Sequence, residues 1–166
     1  MSGSSIVAII DTSAAYAANV QNVPMPNGTL VGVRSIYGGG SLLVPDPLRP
    51  GQMIQPCPEE PTEPFTHFSM LPEAPSVAPI TQQGLVEFTW IVPMRLALPR
   101  GDAATATATL LPFYDAYMAA LSANGTDWGL GGLALNAYIK SFARSSDASW
   151  LWLEMELSVS ELVRYA

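Results

Sequence analysis

Two stretches of the chain alternate between apolar and polar positions. In Leu85–Leu98 the even positions are Val86, Phe88, Trp90, Val92, Met94, Leu96 and Leu98, while the odd ones include Glu87, Thr89 and Arg95. That two-residue period predicts a strand with one buried face, because successive strand side chains point to opposite sides. Pro93 cannot donate to a ladder, so the sequence places this strand at a sheet edge or a bulge. In Trp150–Val163, Leu151, Leu153, Met155, Leu157 and Val159 face one way, and Glu154, Glu156, Ser158 and Ser160 face the other. Just before it, Leu133–Arg144 fits either period: Leu135, Tyr138, Ile139 and Phe142 suit a helix, whereas Leu133, Leu135, Ala137 and Ile139 suit a strand. The short polar connection Ser145–Ser149 into a clear strand favours a hairpin. The even face of 85–98, Trp90 included, and the odd face of 151–159 are expected to share one core.

Helical spacing governs two other segments. Residues 5–20 carry Ile6, Ile9, Ile10, Ser13, Tyr16, Ala17 and Val20 on one face, with Ser4 or Ser5 as cap and Pro24 and Pro26 beyond the end. Residues 102–122 begin at a capping Asp102 and set Ala103, Ala106, Leu110, Tyr114, Tyr117 and Leu121 in a stripe. Pro112 should kink or split this helix, and Asn124 and Gly125 should end it. Thr29–Tyr37 predicts a strand weakened by Gly32.

Fourteen of the fifteen prolines lie between Pro24 and Pro99. Residues 38–64 mix Pro, Gly and acid without a period and read as a long extended loop. Its prolines lower the entropy lost on ordering, yet it has few apolar side chains to fold alone, so contact with a neighbouring subunit is expected. No internal repeat is present. The order helix, strand, long loop, strand, helix, hairpin predicts a single α+β domain over 1–166. Its antiparallel sheet has helices packed on one side.

Composition then narrows the class. Charged residues are 13% of the chain and hydrophobic ones 49%. So apolar a composition argues against intrinsic disorder and implies surface covered by partners. The net charge is −7, with Lys140 the only lysine. Affinity for phosphate rests on Lys and Arg releasing counterions, so neither a tight nucleic-acid reader nor a binder of acidic membranes is expected. Met1–Ser5 holds no basic residue, so Ile6–Ile10 does not read as a signal-peptide core. No apolar run approaches the roughly 20 residues of a membrane span. Cytoplasmic synthesis is expected.

Candidate chemistry is thin. Cys57 and His67 are each alone, which leaves no disulfide and no thiolate zinc site, and as a nucleophile pair they would sit on or beside the Pro-rich loop without rigid support. His67 is expected to be half-exposed. Glu59, Glu60 and Glu63 cluster, but without the alternating Asp and Asn oxygens and turning Gly of a calcium loop. Glu154 and Glu156 share a strand face as a glycosidase pair could, although such neighbours more often line a solvent or channel surface. Gly38–Gly40 lacks a GK[ST] ending, and Gly129, Gly131 and Gly132 lack the third glycine and preceding strand of a dinucleotide site. Arg100–Asp102 reads as a strand exit followed by a helix cap. No enzyme, cofactor or metal is expected.

Taken in order, several features resemble the tail terminator proteins of long-tailed, siphophage-type bacteriophages. They are the N-terminal helix, Leu71–Pro79 (LPEAPSVAP), Glu87–Asp102 (EFTWIVPMRLALPRGD), the alanine-rich helix, the Leu130–Gly132 turn and the C-terminal hairpin. The resemblance covers Phe65–Tyr165 and rests on element order before that. It implies a virion protein forming a homohexameric ring on the head-proximal end of the tail tube. Such a ring ends tube polymerisation and joins the major tail tube protein to the head-completion (neck) proteins while DNA passes without specific binding. Glu59, Glu60, Glu63, Glu154 and Glu156 are then candidate interface or lumen residues, since an acidic lining would not hold the phosphates of a moving genome. The alternatives are another neck, head-completion or minor tail protein, or a small ligand-binding α+β module.

Overall fold

The computed structural model describes residues 6–37, 44–45, 48–54, 61, 63–70, 72, 74–80, 84–122 and 136–165. The elements are, in order, α1 (Ile6–Ala17), β1 (Val23–Pro24), β2 (Leu30–Val31), β3 (Ser35–Tyr37), β4 (Val44–Pro45), β5 (Met53–Ile54) and β6 (Thr66–Ser69). After these come β7 (Ser76–Pro79), β8 (Leu85–Pro99), α2 (Ala103–Ser122), β9 (Asn136–Ser146) and β10 (Trp150–Arg164). The fold is α+β. Its main sheet runs β3-β6-β8-β10-β9, and β7 also pairs with β8. Every pairing in it is antiparallel except β3 with β6, which is parallel.

The spine is the β8–β10 pair, in register from Trp150 opposite Pro99 to Arg164 opposite Leu85. Val92, Met94, Leu96 and Leu98 meet Leu151, Leu153, Met155, Leu157 and Val159 in one core, packed against Ile9, Ile10, Phe113 and Tyr117 from the helices. This is the face and register that the alternation predicts. From Asn136 on, the ambiguous segment is a strand, β9, the first arm of a hairpin with β10, while residues 133–135 lie outside the described residues. Asp147 locks the turn, its carboxylate accepting from the Ser149 and Trp150 amides at 2.8 Å each.

Trp90 departs from the expectation. It is half-buried and lies outside the core cluster, with its indole N–H donating to Glu161 Oε1 at 2.9 Å. Beyond Val92 the helix-side face of the sheet holds only half-buried residues of β8.

Pro93 does not mark an edge. β8 is interior, flanked by β10 on one side and by β6 and β7 on the other. A strand residue points its N–H and C=O to the same side. The Pro93 carbonyl accepts from Met70 N at 2.9 Å, so its missing donor faces the stretch between β6 and β7, where no ladder pairs with β8. An interior proline is tolerated there because no partner needs its proton.

The single strand expected over Thr29–Tyr37 is broken in two. β2 folds back on β1, and β3 continues onto β6. Gly32 is the pivot: a Cβ there would lie 2.0 Å from Gln21 Oε1 and 2.9 Å from the Val20 carbonyl. The Gln21 amide then donates to Val33 O at 2.9 Å, tying the break to the end of the first helix. That helix stops at Ala17 rather than at residue 20. Ala18, Asn19 and Val20 donate three residues back, tightening the chain into a turn. Its expected caps, Ser4 and Ser5, lie outside the described residues.

α2 begins where Asp102 Oδ1 accepts from Thr105 N at 2.8 Å, the predicted cap. Pro112 lies inside it without splitting it. The carbonyl left without a partner belongs to Ala108, which is exposed and reached by water. The expected stop at Asn124 and Gly125 is outside the described residues. Part of the expected loop 38–64 is not structureless: β4 and β5 pair antiparallel within it.

Candidate assembly surface

The side of the sheet away from the helices is built from the odd positions of β8 and the even ones of β10. At one end, Phe68, Ala97 and Trp152 form a second, small cluster with Trp150 against it. Tyr37 stacks on Phe68 at 5.1 Å between centroids, and Phe68 meets Trp152 at 6.0 Å. The Arg95 guanidinium lies over the Trp152 ring at 4.2 Å and the Phe68 ring at 5.5 Å. Its Nε is buried with no hydrogen-bond partner. Trp152 Nε1 donates to Asp147 Oδ2 at 2.8 Å. That hydrogen bond first, and those from the Ser149 and Trp150 amides next, hold the Asp147 carboxyl below the usual range. In sequence Trp152 stands out as a large aromatic at an even position of the last strand, beside Glu154 and Glu156.

Glu154 and Glu156 lie on the same face, both exposed, opposite Arg95 and Pro93 on β8 and Ala143 and Ser141 on β9. With Met70 they border a groove of about 280 Å³. Glu63 is elsewhere, half-buried before β6, its carboxylate accepting from Ser35 Oγ. Thus Glu154 and Glu156 are brought together and Glu63 is set apart from them. Glu59 and Glu60 lie outside the described residues, as do Cys57, Gly38–Gly40, Gly129, Gly131 and Gly132.

On the helix side, the far half of the sheet carries a second exposed apolar area. Phe88 meets Trp90 at 6.1 Å and Tyr165 at 6.3 Å, the latter edge-on. Beside Phe88 on β7, Val77 is 59% exposed, and Tyr165 is 45% exposed. The chain end is pinned here: Tyr165 N donates to Gly84 O at 2.8 Å, and Gly84 takes φ +75 where a Cβ would sit 2.0 Å from Tyr165 O.

His67 is not half-exposed. It lies on β6 with no solvent exposure, its Nε2 2.8 Å from Ser69 Oγ and its Nδ1 2.8 Å from Tyr117 OH. Burial alone pushes its pKa down to about 3 and raises that of Tyr117. A serine beside a neutral histidine has the outline of a nucleophile pair. Ser69, however, is also fully buried, so no substrate reaches its oxygen. The arrangement satisfies polar groups and ties β6 to α2.

No protein-family model matches this chain, and no curated protein matches it either. No helix among the described residues is long and apolar enough to cross a membrane.

Proposed function

We propose that the chain is a structural subunit that works only in an assembly of copies: a ring on the head-proximal end of a phage tail tube. There it ends tube growth and joins the tube protein to the neck proteins. The observation that carries this reading is the sheet's incomplete cover. The face away from the helices exposes Glu154, Glu156, Leu162 and Arg164, and on the helix-side face the β8 side chains beyond Val92, Phe88 and Trp90 among them, stay half in water. An area of this kind is characteristic of contact surfaces. The resemblance in element order supplies the kind of assembly, and the low charge content agrees with extensive subunit burial. The open face with Glu154 and Glu156 is the candidate lumen lining, past which DNA slides unbound. The mechanism is surface complementarity, and no reaction is involved.

The test is direct. Purified protein is sized by sedimentation and imaged by negative-stain electron microscopy, alone and with isolated tail tubes. Rings of one size, and a density cap on one end of each tube, are expected. A monomer at all concentrations that leaves tubes growing would reject the proposal.

A further inference from the structure

On the face away from the helices, planar side chains run across the strands at one level. Tyr37 on β3 is the register partner of Phe68 on β6, and Phe68 is that of Arg95 on β8. Arg95 in turn lies directly opposite Glu154 on β10. Opposite charges so placed on neighbouring strands ordinarily pair, because their Cβ atoms are only about 5 Å apart. Here they do not. The Arg95 guanidinium makes no ion pair and lies instead 4.2 Å from the Trp152 ring centroid and 5.5 Å from that of Phe68. Its Nε is buried without a hydrogen-bond partner.

The two rings are themselves held in place. Phe68 and Trp152 are both buried, Tyr37 stacks on Phe68, and Asp147 Oδ2 accepts from Trp152 Nε1 at 2.8 Å, which fixes the indole. A cation between desolvated rings keeps most of its attraction, whereas an exposed ion pair is screened by water and salt. The rings therefore win Arg95 from Glu154, at the cost of an Nε proton left without an acceptor. Glu154 and Glu156 are left exposed and uncompensated. Lys140, at the bulge opposite Glu156 and Leu157, forms no ion pair either.

We infer that Phe68, Trp152 and Asp147 form a positioning device that draws Arg95 away from Glu154. The groove of about 280 Å³ beside them then shows two free carboxylates. The use of this device rests on the lumen reading above. A guanidinium released beside Glu154 would neutralise the acidic lining and offer a passing duplex the planar fork that binds phosphate. Held against the rings, Arg95 does neither. Its position decides which charge this part of the face presents.

The experiment follows the Glu154 carboxylate of the full chain by carbon-detected NMR across a pH series, its resonance assigned by its loss in Glu154→Gln. Trp152→Leu opens the cage, and Glu154 should then titrate about half a pH unit lower than in the parent, because a nearby cation favours the charged form. Adding Arg95→Gln to that variant should restore the parent midpoint, which a mere loss of packing would not do. Trp152→Phe keeps a ring and should titrate with the parent. Arg95→Gln alone leaves the rings intact and should not move the Glu154 midpoint. A midpoint raised by Arg95→Gln alone would show that the pair already exists and overturn the proposal, as would a Trp152→Leu variant that titrates like the parent. The lumen reading is tested separately, since particles carrying Trp152→Leu should pass DNA more slowly. Normal passage with the Glu154 shift intact would remove the lumen role and leave the withdrawal of Arg95 standing.

Discussion

Lowering the pH from 7 to 5 should destabilise this protein through one side chain, His67. The imidazole is sealed from solvent between Ser69 and Tyr117, and burial holds its pKa at about 3 against 6.5 in the free residue. The folded chain thus keeps His67 neutral where the unfolded chain protonates it. Stability from this source is whole above about pH 6.5 and is lost as pH falls toward the folded value. At pH 5 the unfolded imidazole is protonated by about 30 to 1, which amounts to about 2 kcal/mol at 1.36 kcal/mol per unit. Urea unfolding of the parent and of His67→Gln at pH 7, 6 and 5 isolates the effect, since carboxylates titrate equally in both. The parent should lose about 2 kcal/mol more than the variant between pH 7 and 5. Parallel pH profiles would show that His67 can take a proton in the folded state and that the sealed geometry is wrong.

Other substitutions test the packing and the lining. Phe113→Ala empties a fully buried site stacked on Phe65 and should cost about 3–5 kcal/mol in urea unfolding, whereas Trp90→Ala, half-buried, should cost less than half of that. Gly84→Ala combines a positive φ with a clash at Tyr165 O and should cost more than about 1 kcal/mol. Asp102→Ala removes the cap of α2 and should lower the melting temperature, with Asp102→Asn restoring most of it. Glu154→Lys with Glu156→Lys should leave particles assembled but slow DNA passage. The effect requires these acids within a Debye length, about 8 Å, of the duplex, and normal infectivity would remove both from the lumen.

The alternating strands were legible because each has one wet and one dry face. Period two in Val92–Leu98 and Leu151–Val159 records the helix layer directly, and the turn chemistry of Ser145–Ser149 identified the hairpin that periodicity left ambiguous. What misled was information held by neighbours. Pro93 looks like an edge marker until the gap between β6 and β7 is known. Trp90 continues the apolar face in sequence, yet it is half-buried and outside the core cluster that holds its cross-strand neighbour Val159. His67 reads as a loop histidine because a four-residue strand between prolines has no visible period. Of the candidate site, the Glu154–Glu156 face could be read from alternation, whereas Arg95 over Trp152 needed the cross-strand register.

The hairpin strand β10 is inserted between β8 and its own partner β9, and this has a kinetic consequence. β9 and β10 are close in sequence and can pair within microseconds. The fifteen rungs joining β10 to β8, by contrast, close a loop of more than fifty residues that includes all of α2. Contacts of such separation form late, because chain entropy is lost before they repay it. Until then β8 offers a newly made chain an apolar strand with its β10 side bare, the species most able to pair wrongly with another copy. The yield of correctly folded protein should accordingly fall as refolding concentration rises, and fall less when refolding is slow and dilute.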